Sequence, residues 1–270
     1  MSASPYKFNE LAKCFYWWTR NGSILNAGDY FVPFLFHNML LKLGRADVIK
    51  DLQIKLNGRR IFSIGSVIHF ARNDDFVWGT GVNGKVSLDK LTFSRINVSA
   101  VRGPLTRNIL LQKGIDCPLV FGDPALLASA IYPIEQLRKI HPKKNGICVV
   151  PHINEDFTRY KNIPHDIVSP NQAPIDFIAK LTSYEAVISS SLHGIVFADA
   201  YNIPNALLKN ISGETQFKYD DYRLGSQRKP LKPLETIAEA IQALKMDAFD
   251  LADIQNSLMA SLPIKSILSN

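Results

Sequence analysis

The residues of this chain able to move a proton or hold an anion sit at places that read as strand-to-helix crossings. The densest group is in VISSSLHGIVFADAYNIP, residues 187–204, which carries Ser190, Ser191, His193 and Gly194. A histidine can hold and deliver a proton near neutral pH, so His193 is the first candidate general acid and His152 the reserve. The carboxylate of Asp29 or Asp123 could accept a proton from a hydroxyl, and each is equally placed to cap a helix. Arg102 and Arg107 near a helix start make a credible anion clamp, because the guanidinium fork matches phosphate and carboxylate. The plainer alternative for the two arginines is a surface salt bridge. Lys209 follows a strand and is a further candidate cation. A helix starting at 192 leaves unpaired N–H donors that attract phosphate or carboxylate. The hydroxyls of Ser190 and Ser191 lie beside it, and Gly194 would let a ligand approach the backbone. The plainer alternative for His193 is a residue packed beside an apolar helix.

These residues need elements to place them. Residues 187–188 are an apolar run that the three serines break; from His193 the apolar spacing is helical until Asn202-Ile203-Pro204. The aromatic run CFYWW, 14–18, is of strand type. NAGD, 26–29, is a turn feeding a helix that takes Pro33 in its first turn and stops at Gly44. Further strands are expected over 46–49, 60–64, 75–79 and 98–101. Gly103-Pro104 then opens a helix that Gly114 ends. A strand ending at Phe121 gives way at Gly122-Asp123-Pro124 to a short helix. EQLRKIHPKKNG, 135–146, is the linker candidate. Beyond it, strands are expected at 147–152, 166–170 and 205–209, and a helix within 173–184. ETQFKYDDYRLG, 214–225, reads as a loop or short helix near the cleft. An amphipathic helix is expected over 234–246 and another over 247–262.

The alternation of strands and helices implies an α/β fold with a parallel sheet in each half. The expected division is a first domain at 1–134, a second at 146–230, and helices at 231–270 packing back on the first. In open α/β sheets ligands bind beyond the carboxyl ends of the strands. Asp29, Arg102 and Asp123 lie at such ends in the first half, and His152, His193 and Lys209 in the second. If the halves face each other across a cleft, these six converge, as in a two-domain transferase.

The bulk numbers narrow the class. The 270 residues, 46% hydrophobic and 20% charged, suit a soluble globular protein of one or two domains. A net charge of +7 suits an anionic ligand, an acidic glycan or an anionic membrane surface, and equally an ordinary solvated face. The basic residues form no long block, so no nucleic-acid footprint is expected. The cysteines, Cys14, Cys117 and Cys148, are scattered in apolar runs, which argues for core residues in a reducing compartment and against a disulfide framework or a zinc knuckle. The opening MSASPYKFNE has no apolar segment after a basic start, and no window of 18 apolar residues occurs. The expected place is the cytoplasm. No metal-ligand cluster and no GxSxG spacing is present, so no metal or hydrolase elbow is expected, and no dinucleotide cofactor is expected.

NAGDYFVP, VRGPLTRNIL with FGDPALL, and SSSLHGIVFADAYNIP, in that order, resemble the polysaccharide pyruvyl transferase family, most closely its bacterial exopolysaccharide branch. The resemblance runs from Asn26 to about Tyr222. It implies two Rossmann-like domains facing across a cleft, similar to the glycosyltransferase B (GT-B) fold. It implies phosphoenolpyruvate as donor, no cofactor, and a cyclic pyruvate ketal on a sugar as product. The first domain would then be the acceptor side and the second the donor side. The acceptor would be a glycan or lipid-linked sugar, met at the inner face of the membrane by peripheral association. Arg102 matches the arginine of the family's first-domain motif, and His193 its histidine. Where many members carry Arg-Leu-His this chain has Ser191-Leu192-His193. Helix N–H groups with the Ser190 and Ser191 hydroxyls are the expected substitutes. The rival expectations are a GT-B nucleotide-sugar glycosyltransferase and a non-catalytic member of a polysaccharide assembly complex.

Overall fold

The structure, a computed structural model, describes residues 8–19, 25–42, 48–245 and 247–269. In chain order the first half runs α1 (Phe8–Leu11), β1 (Phe15–Tyr16), α2 (Phe31–Lys42), α3 (Val48–Leu56), β2 (Ile61–Phe62), β3 (Phe76–Trp78), β4 (Asn97–Ala100) and α4 (Pro104–Gln112). The short helices α5 (Ala128–Ile131) and α6 (Ile134–Leu137) lead to the second half. That half holds β5 (Ile147–Val150), β6 (Asp166–Ile167), α7 (Pro174–Leu181), β7 (Ala186–Ser189), α8 (Leu192–Ala200), β8 (Asn205–Leu207) and α9 (Phe217–Gly225). Helices α10 (Ile237–Gln242), α11 (Leu251–Ala260) and α12 (Ile264–Ser269) come after it.

Each half forms a four-stranded, all-parallel sheet. The first runs in order β1-β2-β3-β4, and the second β6-β5-β7-β8. Strands covered on both faces are continuously apolar rather than alternating, and every residue of β7 is buried. In the second sheet the chain goes from β5 to β6 on one side and then to β7 on the other. A topological switch point, where open α/β sheets leave a crevice, therefore lies between β5 and β7.

One buried apolar cluster, from Leu11 to Ile267, includes residues of both halves. Its junction is aromatic: Phe31 of α2 meets Phe197 of α8 edge-on at 5.4 Å, and Phe197 meets Phe177 of α7 at 5.9 Å. Such T-shaped pairs are the favoured aromatic geometry. A second cluster, with Phe62, Val77, Val101 and Leu110, lies within the first half. Leu137 of α6, within the linker candidate, is buried in the shared cluster. Helix α12 packs on α3, and the Trp78 indole N–H donates to the Leu258 carbonyl at 2.9 Å. Among the described residues no helix is long and apolar enough to cross a membrane.

Two local expectations are corrected. Residues 48–49, expected in a strand, open α3, which buries Val48, Ile49, Leu52 and Leu56 on one helical face. A short apolar run alone cannot separate the two states. Residues 46–47, like the expected helix stop at Gly44, lie outside the described residues. The helix expected over 234–246 shrinks to α10, because its flanks serve the sheet: Leu234 bridges Leu208 and Lys245 bridges Asn205. Residue 246 lies outside the described residues.

Candidate active site

A cavity of about 220 Å³ lies at the carboxyl ends of β5 and β7. The second half supplies His152, just past β5, and Ser191 to His193 at the start of α8. The first half closes it with Asn26 and Asp29 from the NAGD turn, Gly65 to Val67 past β2, and Asn83 and Lys85 past β3. Trp18, His69 and Phe70 add an aromatic edge.

Asp29 and His193 face each other in this cavity. Nε2 of His193 stands 3.9 Å from Oδ1 of Asp29, and the side chains are 12% and 10% exposed. Among the described residues Nε2 has no hydrogen-bond partner although it is buried, which is uncommon. Asn26 Nδ2 donates to Oδ2 of Asp29 at 2.6 Å and fixes the carboxylate. Two glycines make the room. A Cβ on Gly28 would come within 2.0 Å of the His193 ring, and one on Gly65 within 2.4 Å of Asp29 Oδ1. Gly65 also has φ +94°, where side chains are strained.

Burial governs where the proton sits. It pushes Asp29 up to about 7, with Lys218 opposing and Asp123 and Glu214 adding to the rise. It pushes His193 down to about 3, helped by Lys218, His152 and Arg102. Burial disfavours the charged form of both groups. Near neutral pH the proton therefore rests on Asp29 to a substantial degree, and the imidazole is neutral. Burial thus favours a proton on Asp29 over one on His193, whereas the sequence expectation has His193 as acid and Asp29 as base.

The opposite wall is ionic. Glu214 binds Lys218 Nζ through Oε2 at 2.7 Å and Lys85 Nζ through Oε1. Burial would raise Glu214, but Lys218 and Lys85 prevail and hold it down at about 2. His152 stands 4.0 Å from Glu214, with Nδ1 3.0 Å from the Ser212 hydroxyl. Burial and then Lys218 push His152 down to about 4, Glu214 opposing. Beneath this wall Glu155 accepts from the Ser190 and Tyr160 hydroxyls and the Ile211 N–H.

The structure thus gathers Asp29, His152, Ser191 and His193 around one space and leaves the other expected residues off its wall. Arg102 is fully buried, paired with Asp221 at 3.0 Å, and donates to the Val82 carbonyl and the Ser66 hydroxyl. Ser66 lines the cavity, so Arg102 stands one layer behind it. Arg107 donates to the Cys117 carbonyl, does not line the cavity, and makes no clamp with Arg102. Asp123 is fully buried, with Oδ1 accepting the Ala125 N–H as a cap and Oδ2 without a partner among the described residues. Lys209 is exposed and pairs with Glu235 at 2.8 Å. The Ser190 hydroxyl is committed to Glu155 at 2.5 Å. A Cβ on Gly194 would strike Ser189 Oγ at 2.2 Å, so this glycine serves the packing of α8 on the sheet and not a ligand. The convergence of six residues expected from strand ends is corrected to three, because buried partners claim Arg102 and Asp123 and Lys209 points to solvent.

Sequence patterns alone missed Lys218, Glu214 and Lys85. The segment holding the first two stands out as charged, aromatic and unlike a core strand. Glu214 and Lys218 at i,i+4 are ordinary surface spacing, and only the fold brings Lys85 to them.

A family model described as polysaccharide pyruvyl transferase matches residues 24–212. The chain is also similar to the succinoglycan biosynthesis protein ExoV of Rhizobium meliloti (strain 1021), at 27% identity over 153 residues. That stretch is 54% of this chain and 46% of ExoV, so the match spans less than half of that curated relative. It is the family match, over more than half of the chain and containing Asp29, His152 and His193, that decides: the chain belongs to the polysaccharide pyruvyl transferase family.

Proposed function

We infer that the chain transfers pyruvate from phosphoenolpyruvate to a sugar of a polysaccharide or its precursor, closing a cyclic ketal and releasing phosphate. The observation that carries this is the Asp29–His193 pair, 3.9 Å apart inside a small cavity with a cationic wall, where burial raises Asp29 and lowers His193. The α8 start adds backbone donors, since Ser191 caps it without a side-chain hydrogen bond. Protonated Asp29 gives its proton to the donor's methylene carbon. The central carbon becomes oxocarbenium-like, and a sugar hydroxyl adds to it, giving its proton to His193. A second hydroxyl of the same sugar then displaces phosphate, its proton leaving with the phosphate. The ring closes, and His193 returns its proton to Asp29 across the gap between them. An anionic donor in the cavity raises His193 and makes it the better base.

The size of the space supports this donor over a nucleotide sugar. About 220 Å³ lies below the roughly 300–1,000 Å³ of pockets for drug-sized ligands. In this reading the two sheet-bearing halves act as in the GT-B arrangement, each giving one wall. The acceptor is a glycan or lipid-linked sugar, reached from the cytoplasm at the inner face of the membrane. The test is a donor screen read by mass spectrometry. Incubation with phosphoenolpyruvate and candidate sugars is expected to add a pyruvyl ketal. A hexose added from a nucleotide sugar, with no ketal, would replace this reading with the glycosyltransferase one.

A further inference from the structure

We propose that Lys218 is the residue that binds the donor's anionic group, and that Glu214 and Lys85 position it. The inference rests on the pyruvyl-transfer reading and deepens it. Lys218 lines the cavity and is only 5% exposed. An ammonium has three N–H donors; among the described residues its nitrogen has one hydrogen-bond partner, Glu214 Oε2. The donors left over belong to a desolvated cation beside an open space, and an anion is what they fit. One carboxylate, Glu214, is shared by two lysines, so the group keeps a net positive charge.

Position supports the same role. Of the charges felt by Asp29, by His152 and by His193, that of Lys218 is the largest for each. Lys218 therefore sits among the proton-moving groups rather than at the rim. Ser191, at the start of α8, lines the same cavity and brings no charge to it. Lys218 supplies from α9 the charge that α8 lacks. The loop carrying Lys85 is built to lie against this segment. Gly84 has φ +83°, and a Cβ there would meet Thr215 Oγ1 and Phe217 Cβ at 2.5 Å. Thr215 Oγ1 donates to the Asn83 carbonyl at 3.3 Å. The first half thereby reaches over and holds Glu214, which holds Lys218.

The test is calorimetric titration of the whole chain with phosphoenolpyruvate and with inorganic phosphate, alongside steady-state kinetics. Lys218→Met is expected to weaken binding of both ligands ~30-fold, the worth of one charge-assisted hydrogen bond. Its KM for the sugar should stay unchanged. Lys218→Arg, which keeps the charge, should recover most of the affinity. A folded Lys218→Met protein that binds phosphoenolpyruvate as tightly as the parent would overturn the proposal. Should that variant fail to fold, Lys85→Met carries the test. It frees Glu214 to draw Lys218 away from the ligand, and donor affinity should fall ~5-fold; unchanged affinity there overturns the proposal equally. A parent protein that forms ketal while Lys218 variants bind normally defeats this inference alone. A parent that neither binds the donor nor forms ketal removes the reading beneath it as well.

Discussion

For Asp29 and His193 the controlling quantity is the location of one proton. Both are desolvated, which raises Asp29 to about 7 and lowers His193 to about 3. In the proposed mechanism the acid form of Asp29 is the working form, so kcat/KM for the donor should fall as pH rises through about 7. A pH–rate profile that instead rises through that region would reverse the roles. Asp29→Asn removes the proton and keeps the contact with Asn26; turnover should drop by ~10²–10⁴, the usual worth of a positioned acid. Gly28→Ala tests the same pair by another route. The added methyl must displace the His193 ring, so turnover should fall to the level of His193→Ala while circular dichroism stays unchanged. At this scale the sequence is informative where chemistry is local. The NAGD turn and the SLHG helix start each carry their functional residue on a short motif. The proton's resting place is not legible there, because it depends on burial that only the folded pair creates.

At the scale of elements, Arg102 and Asp123 act on the fold. Arg102 ties β4 to α9 through Asp221, which also accepts the Thr106 N–H and hydroxyl. Removing one partner of a buried pair leaves an uncompensated charge and costs about 3–5 kcal/mol. Arg102→Ala should therefore lower the melting temperature markedly, as read by thermal unfolding. A variant that loses only donor affinity, with unchanged melting, would place Arg102 in contact with the ligand after all. Asp123 caps the turn at Pro124–Leu127 with one oxygen and buries the other without a partner among the described residues. Burial raises it to about 6, against the cap's N–H and Arg102. A carboxyl whose folded pKa is raised favours the folded state at low pH, and that stability is lost as pH rises through the folded value. Asp123→Asn should therefore stabilise the protein at pH 8 by about 2–3 kcal/mol and little at pH 4, as the shift implies. Equal melting shifts at the two pH values would contradict this. Sequence spacing places Arg102 just past a strand, β4, while the strand expected before Asp123 is only a single bridge of Phe121 to Val101. It cannot show that α9, distant in the chain, covers Arg102, or that α8 and α11 pack on the turn that Asp123 caps.

Across the whole molecule, the alternation of apolar strands and amphipathic helices is enough to read two parallel sheets in an α/β fold. The order of strands within a sheet has no sequence signature, yet the β6-β5-β7-β8 order puts His152 beside the α8 start. Nor does spacing reveal the aromatic junction of Phe31, Phe197 and Phe177 that brings Asp29 over His193. Lys218 is hidden for the same reason. Its partner Glu214 lies 129 residues from Lys85, and their meeting is a product of how the halves pack. The central claim is that this shared cavity moves pyruvate from phosphoenolpyruvate to a sugar through Asp29 and His193. The most direct measurement is the mass of the sugar after incubation with phosphoenolpyruvate, for the parent chain and for folded His193→Ala, with released phosphate counted alongside. The account predicts one ketal per phosphate from the parent and none from the variant; ketal at the parent's rate from His193→Ala, or none from either, would contradict it.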